Sequence, residues 1–237
     1  MKKFALVAVL ALTSGTFIVS TTQSCTTLAT SNLGIAVIKQ ILLGGINQAS
    51  NIFSNKQAFL QNDLILRALP ENLRSVYNVL DRVAPNLANQ GKDYIAQAAA
   101  STVSISTPIL QNAVNSLNAN DVTRIMQGEP GIATQILREK SQQQLIQAIA
   151  PKVDQKLNEF GIARSINMAL QGSNLIGSIF GGQNSNNMAT GGLSRLASEQ
   201  MVNGLFNIIQ SHEIENQGSI LNSVRGIGTA AGVQPVR

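Results

Sequence analysis

Residues 132–160 read IATQILREKSQQQLIQAIAPKVDQKLNEF, and their spacing decides the class of fold. Ile132, Ile136, Leu137, Leu145, Ile146 and Ile149 recur at intervals that gather them on one face of an α-helix. The pattern runs in this form up to Pro151, a residue without a backbone N–H. Val153, Leu157 and Phe160 then resume it up to Gly161, a residue suited to close a helix.

Working toward the N-terminus, Pro130 restarts the chain before this helix, and Gly128 stands where a left-handed closing residue is expected. Before it, Asn118 or Asn120 can cap a short helix over Asp121 to Gln127. An alanine-rich stretch from Leu87 to Leu117 carries Ser and Thr at 101–107 and Pro108, which predicts one kinked helix or two. Pro70 presets the first turn of a helix bearing Leu73, Val76, Tyr77, Leu80 and Val83. The residues from Asn62 to Pro70 are apolar, short and end in proline, and read as an extended connector. From Ile35 to Phe53 the helical period returns, interrupted by Gly44-Gly45, which predicts a kinked or broken helix.

Toward the C-terminus, Ile162, Ile166, Met168 and Leu170 form a short amphipathic piece. The Gly- and Asn-rich run 171–192 reads as a flexible excursion, loosest at about 177–192. A last strong helix runs from about Leu193 to Glu215, followed by a turn at Ile220, Leu221 and Val224 and a frayed tail over 226–237. No segment alternates apolar and polar residues long enough for a strand. The expected fold is all-α: a single irregular multi-helix bundle over residues 34–225. The triplet Gly-Ile-Ala at 34, 131 and 161 has no sustained period behind it and marks no repeat.

The chain's opening has another character. Lys2 and Lys3 precede an apolar run from Phe4 to about Val19, broken by Thr and Ser and too short for a stable membrane span, and Ser24-Cys25 follows. Residues 1–24 therefore read as a lipoprotein-type export signal, with Cys25 as the lipidation site and 25–33 as a polar tether. Thr22 stands where the usual apolar residue precedes such a cysteine. Ordinary cleavage would instead leave Cys25 as an odd free thiol. Thr26 and Thr27 follow, without the acidic residue that favours inner-membrane retention, so the expected location is a periplasm-facing anchor with the outer membrane preferred.

Composition narrows the rest. Only 12% of residues are charged, whereas Asn and Gln number 44, so the surface is made polar mainly by amides and hydroxyls. The net charge of +5 falls to +3 once Lys2 and Lys3 are removed, and there is no Trp and no interleaving of basic with aromatic residues; nucleic acid is not an expected partner. One Cys and one His cannot build a Cys/His nucleophile pair or a soft-metal cage. His212 is followed by Glu213 and Glu215 but lacks a second His four residues on, and reads as a partly exposed histidine near a helix C-terminus. Glu129, Glu139, Asp154 and Glu159 could act in pairs, yet the Arg138-Glu139-Lys140 run reads as a solvated charged face. The residues name no catalytic, cofactor-binding or metal site.

Leu69-Pro70-Glu71-Asn72-Leu73, the stretch Asp121 to Gly128 followed by Ala133-Thr134, the run Lys140-Ser141 to Leu145 with Pro151, Val153 and Leu157, and Gly204-Leu205-Phe206-Asn207-Ile208-Ile209 together resemble domain-of-unknown-function family 4197. The resemblance spans roughly residues 34–225. It implies an all-helical, exported bacterial protein, often of lipoprotein type, and carries no activity or functional residue with it. The chain departs from the pattern in its Gly/Asn-rich 177–192 segment and in having amides where relatives are richer in Lys and Glu.

Two functions of different kind remain. One is a non-catalytic binding or scaffolding lipoprotein of the bacterial envelope, tethered through Cys25 and meeting an envelope protein. The alternative is a carrier of an apolar ligand, held between helices beside the alanine-rich 95–114 stretch. A carboxylate-based enzyme ranks below both.

Overall fold

The computed structural model describes residues 32–68, 81–82, 85–161 and 185–230. Among them are seven helices and no strand: α1 (Asn32–Ser54), α2 (Lys56–Leu60), α3 (Asp63–Ala68), α4 (Pro85–Asn115), α5 (Ala119–Gln127), α6 (Ile132–Glu159) and α7 (Ser185–Ala230). The expected helix over Leu73 to Val83, the piece at 162–170, most of the Gly/Asn-rich run and the signal segment with Cys25 lie outside the described residues.

Four long helices form a ring in which α1 packs on α4, α4 on α6, α6 on α7, and α7 back on α1. Each neighbouring pair is antiparallel. Lys39 donates to the Asn115 carbonyl at 2.8 Å and the Ser50 and Thr107 hydroxyls lie 3.0 Å apart, so α1 climbs as α4 descends. Thr134 meets Glu213 and Asp154 meets Ser194, which sets α6 against α7. Tyr94 stacks on Phe160 at 4.2 Å, joining the start of α4 to the end of α6. The chain thus runs up, down, up and down around one core. Ile38, Leu42, Ile46, Phe53, Leu110, Ile136, Leu137, Leu145, Ile149, Leu205 and Phe206 are its largest fully buried side chains.

Several sequence expectations change. Gly44-Gly45 does not break α1, which is continuous over 23 residues. Instead the pair lets α7 approach: a methyl on Gly45 would stand 3.2 Å from the Ile209 Cα, and one on Gly44 only 2.7 Å from the His212 Nε2. The 62–70 connector is helical at Asp63–Ala68, with the Asn62 side chain accepting from the Leu64 and Ile65 amides in the manner of a cap. Other expectations hold: of the two alternatives for 87–117 a single helix, α4, is found with Pro108 inside it, and α6 runs on past Pro151 to Glu159. Gly128 is extended (φ −96°, ψ 174°), and the left-handed residue is Gly131 at φ 93°. Gly161 does close α6 in the left-handed region, at φ 63°. The last helix is far longer than 193–215: it starts at Ser185, within the run expected to be loose, and reaches Ala230, beyond the expected turn. The capping expectation for α5 holds at Asn118, whose side chain accepts from the Asn120 and Asp121 amides while Asp121 accepts from the Asn118 amide.

At about 1.5 Å per residue α7 is about 69 Å long and α6 about 42 Å. Glu213 is level with the first turn of α6, so the part of α7 beyond it continues past that end of α6. α1 starts at the same end, which is where a tether preceding Asn32 would join the bundle.

Candidate functional site

Of the three residues His212, Glu213 and Glu215, the second is the one the fold draws inside. Val202, Leu205, Phe206 and Ile209 form the buried stripe of α7, and Glu213 continues it one turn on, 4% exposed. Its carboxylate accepts from the Ala133 amide at 2.9 Å, the Thr134 amide at 2.7 Å and the Thr134 hydroxyl at 2.6 Å. The N-cap of α6 is Gly131, which has no side chain to satisfy the helix's first amides. Glu213 supplies that acceptor from another helix and places negative charge at the positive end of the α6 dipole.

His212 points elsewhere. Its Nδ1 lies 2.8 Å from the Gln48 Oε1, and its ring rests against Gly44, so it belongs to the α1/α7 seam. It is partly exposed, as expected, but mid-helix rather than near a C-terminus. Glu215 is exposed and accepts from the Ser211 hydroxyl at 3.0 Å. The three do not converge.

Three of the four middle carboxylates, Glu139, Asp154 and Glu159, are likewise engaged in ties between or along helices. Glu139 receives a forked contact from Arg124 of α5 at 3.1 Å. Asp154 accepts from Ser194 of α7 at 2.5 Å and from Asn158 at 3.1 Å. Glu159 pairs with Lys156 at 2.8 Å, and Glu129 is exposed. Asp121, 7% exposed, meets Lys140 at 3.0 Å. Burial pushes the Asp121 carboxyl up, but the Asn118 amide, Lys140 and Arg124 together hold it below its ordinary 3.8. Among the described residues no group of three His, Cys, Asp or Glu side chains gathers in metal-binding proximity.

The charged run Arg138-Glu139-Lys140 divides. Glu139 and Lys140 are exposed and reach to α5, whereas Arg138 turns toward α7 and is half-buried. Its Nη1 donates to the Asn203 Oδ1 at 2.8 Å, and its guanidinium carbon lies 4.6 Å from the centre of the Phe206 ring. Burial lowers its pKa from the ordinary arginine value. The charged run concealed this, because Glu139 and Lys140, which follow Arg138 on the chain, are solvent-facing. The available signal for Glu213 was its place four residues beyond Ile209 and seven beyond Phe206, a carboxylate on an apolar stripe.

Along α4, Ala96, Ala98 and Ala99 are buried and packed into the core. A recess of about 630 Å³ opens at the corner between α1 and α2, lined by Ser54, Asn55, Lys56, Gln57, Leu60 and Gln61. Among the described residues no helix is long and apolar enough to cross a membrane.

No curated protein and no solved structure matches the chain. A family model does, over residues 29–220, taking in every helix from α1 to most of α7. That span exceeds three quarters of the 237 residues and covers the same blocks that carry the sequence resemblance. The chain belongs to the family described as Protein of unknown function (DUF4197).

Proposed function

We propose that the protein is an exported, membrane-tethered helical lipoprotein whose bundle binds or scaffolds a partner in the bacterial envelope. The observation that carries this reading is the sequence at the start of the chain, where a basic, then apolar segment leads to the single Cys25 seven residues before α1 begins. An acylated Cys25 would hold the bundle by the end that carries the start of α1 and the C-terminal part of α7, leaving the opposite end facing away from the bilayer. The engagement of Glu213, Asp121, Glu139 and Asp154 in ties that hold helices together supports a binding body over a catalytic one. An outer-membrane, periplasm-facing position follows from the Thr26-Thr27 pair after the cysteine. The packing of Ala96, Ala98 and Ala99 into the core favours this reading over the apolar-ligand carrier.

The test is Cys25→Ala in the full chain, with palmitate labelling, membrane fractionation and envelope crosslinking side by side. Loss of label and release from the membrane are expected, together with loss of the crosslinks made by the wild type. Undiminished membrane retention of the variant would remove the tether, and absence of any crosslinked partner from the wild type would remove the scaffold.

A further inference from the structure

Arg138 stands apart from the other charged side chains of the bundle. The guanidinium carries five N–H donors in a rigid plane, matched to the two oxygens of a carboxylate. Nη1 is taken by Asn203, while Nε and Nη2 meet no acceptor among the described residues. The nearby carboxylates are held elsewhere: Glu139 by Arg124, and Glu199, one turn before Asn203 on α7, by Arg195 at 2.9 Å. Phe206 is wholly buried, and the guanidinium lies over its ring. Among the described residues the result is a half-buried cation with its remaining fork unfilled and no paired counter-charge, an arrangement that a bidentate carboxylate completes.

We propose that Arg138, positioned by Asn203 and Phe206, is a binding site on the α6/α7 face for the free carboxylate of a peptide. A peptide fits better than an acidic glycan for two reasons. The flanking side chains of this face, Gln142 and Gln210 with Asn203, are amides that can both donate to and accept from peptide groups. Sugar rings are usually held on open aromatic faces, but Phe206 is covered by Arg138, and Tyr94 and Phe160 are stacked on each other. The inference deepens the binding reading above and rests on it for its purpose.

The experiment presents the full-length protein in detergent with a pool of N-acetylated tripeptides bearing free C-termini, with the same pool amidated, and with a glucuronate-containing oligosaccharide, and reads retention by native mass spectrometry. Free acids should be retained at least about tenfold better than their amides, a difference of one decade in affinity. Arg138→Lys keeps the charge but loses the planar fork and should reduce retention by about tenfold. Asn203→Asp places a carboxylate against Arg138 from within the chain and should abolish retention while leaving the melting temperature unchanged or higher. Equal retention of acids and amides, retention of neither, or undiminished binding by a folded Asn203→Asp protein would overturn the proposal. Stronger retention of the oligosaccharide than of the peptides would overturn the assignment to peptide. Failure here with Cys25-dependent tethering and crosslinks intact sinks the Arg138 site alone.

Discussion

Glu213 closes the first turn of a helix whose own chain offers no cap, and that single side chain joins α6 to α7 eighty residues apart. Glu213→Ala would leave the Ala133 and Thr134 amides buried without an acceptor, at roughly 1–3 kcal/mol for each unsatisfied group. Urea unfolding should show the loss as a lowered midpoint, and an unchanged midpoint would show the carboxylate to be idle. Asp121 gives a second prediction, in pH. Its folded pKa lies below the ordinary 3.8, so its contribution is fully present above that value and is lost as pH falls through the folded pKa. Asp121→Asn should therefore flatten the part of the stability profile lying below about pH 4 relative to wild type, followed by denaturant unfolding across acid pH. Gly131 is the residue where backbone freedom matters most: its φ is 93°, and a methyl there would stand 2.6 Å from the Gln210 side-chain nitrogen. Gly131→Ala should destabilise by about 1–3 kcal/mol, through left-handed strain and displacement of Gln210.

At the scale of elements, the sequence was most readable where local chemistry and packing agree. Asn118 with Asp121 announces the start of α5, and the Ile132 to Ile149 spacing announces α6. The errors lie where tertiary contact overrides local preference. Glycine in a helix interior costs about 0.5–1 kcal/mol relative to alanine, which is why Gly44-Gly45 reads as a break. The close approach of α7 over those glycines supplies packing that a sequence window does not see. Gly45→Leu should force the α1/α7 seam apart and lower the melting temperature sharply, whereas Gly91→Ala, where a methyl meets nothing within 4 Å, should leave it unchanged or raise it. The two prolines are accommodated for a related reason. Pro108 and Pro151 are exposed, so the carbonyls they strand can turn to water and each helix continues beneath them. Of the candidate sites, His212 was legible as bland, but neither the inward turn of Arg138 nor the capping by Glu213 was. Both depend on which helix lies opposite, information that spacing within one helix does not contain.

For the whole molecule, the ring closes only when α7 lies between α6 and α1. A chain ended at Gly192 would lose the acceptor at the start of α6 and the partner of Gly44-Gly45 together. It should be expanded and rapidly cut by protease, where the full chain gives a resistant body in limited proteolysis; a resistant truncated chain would show that α1, α4 and α6 suffice alone. The same closure bears on how such a chain comes into being. Delivered N-terminus first, it holds α1, α4 and α6 as incomplete partners until nearly all of it has emerged, because the seam between its first and last long helices joins residues more than 160 positions apart. Loop closure over that distance makes final assembly a late event. Were the chain exported unfolded through a narrow channel, as the proposed lipoprotein would be, this topology would defer its completion until the passage is over.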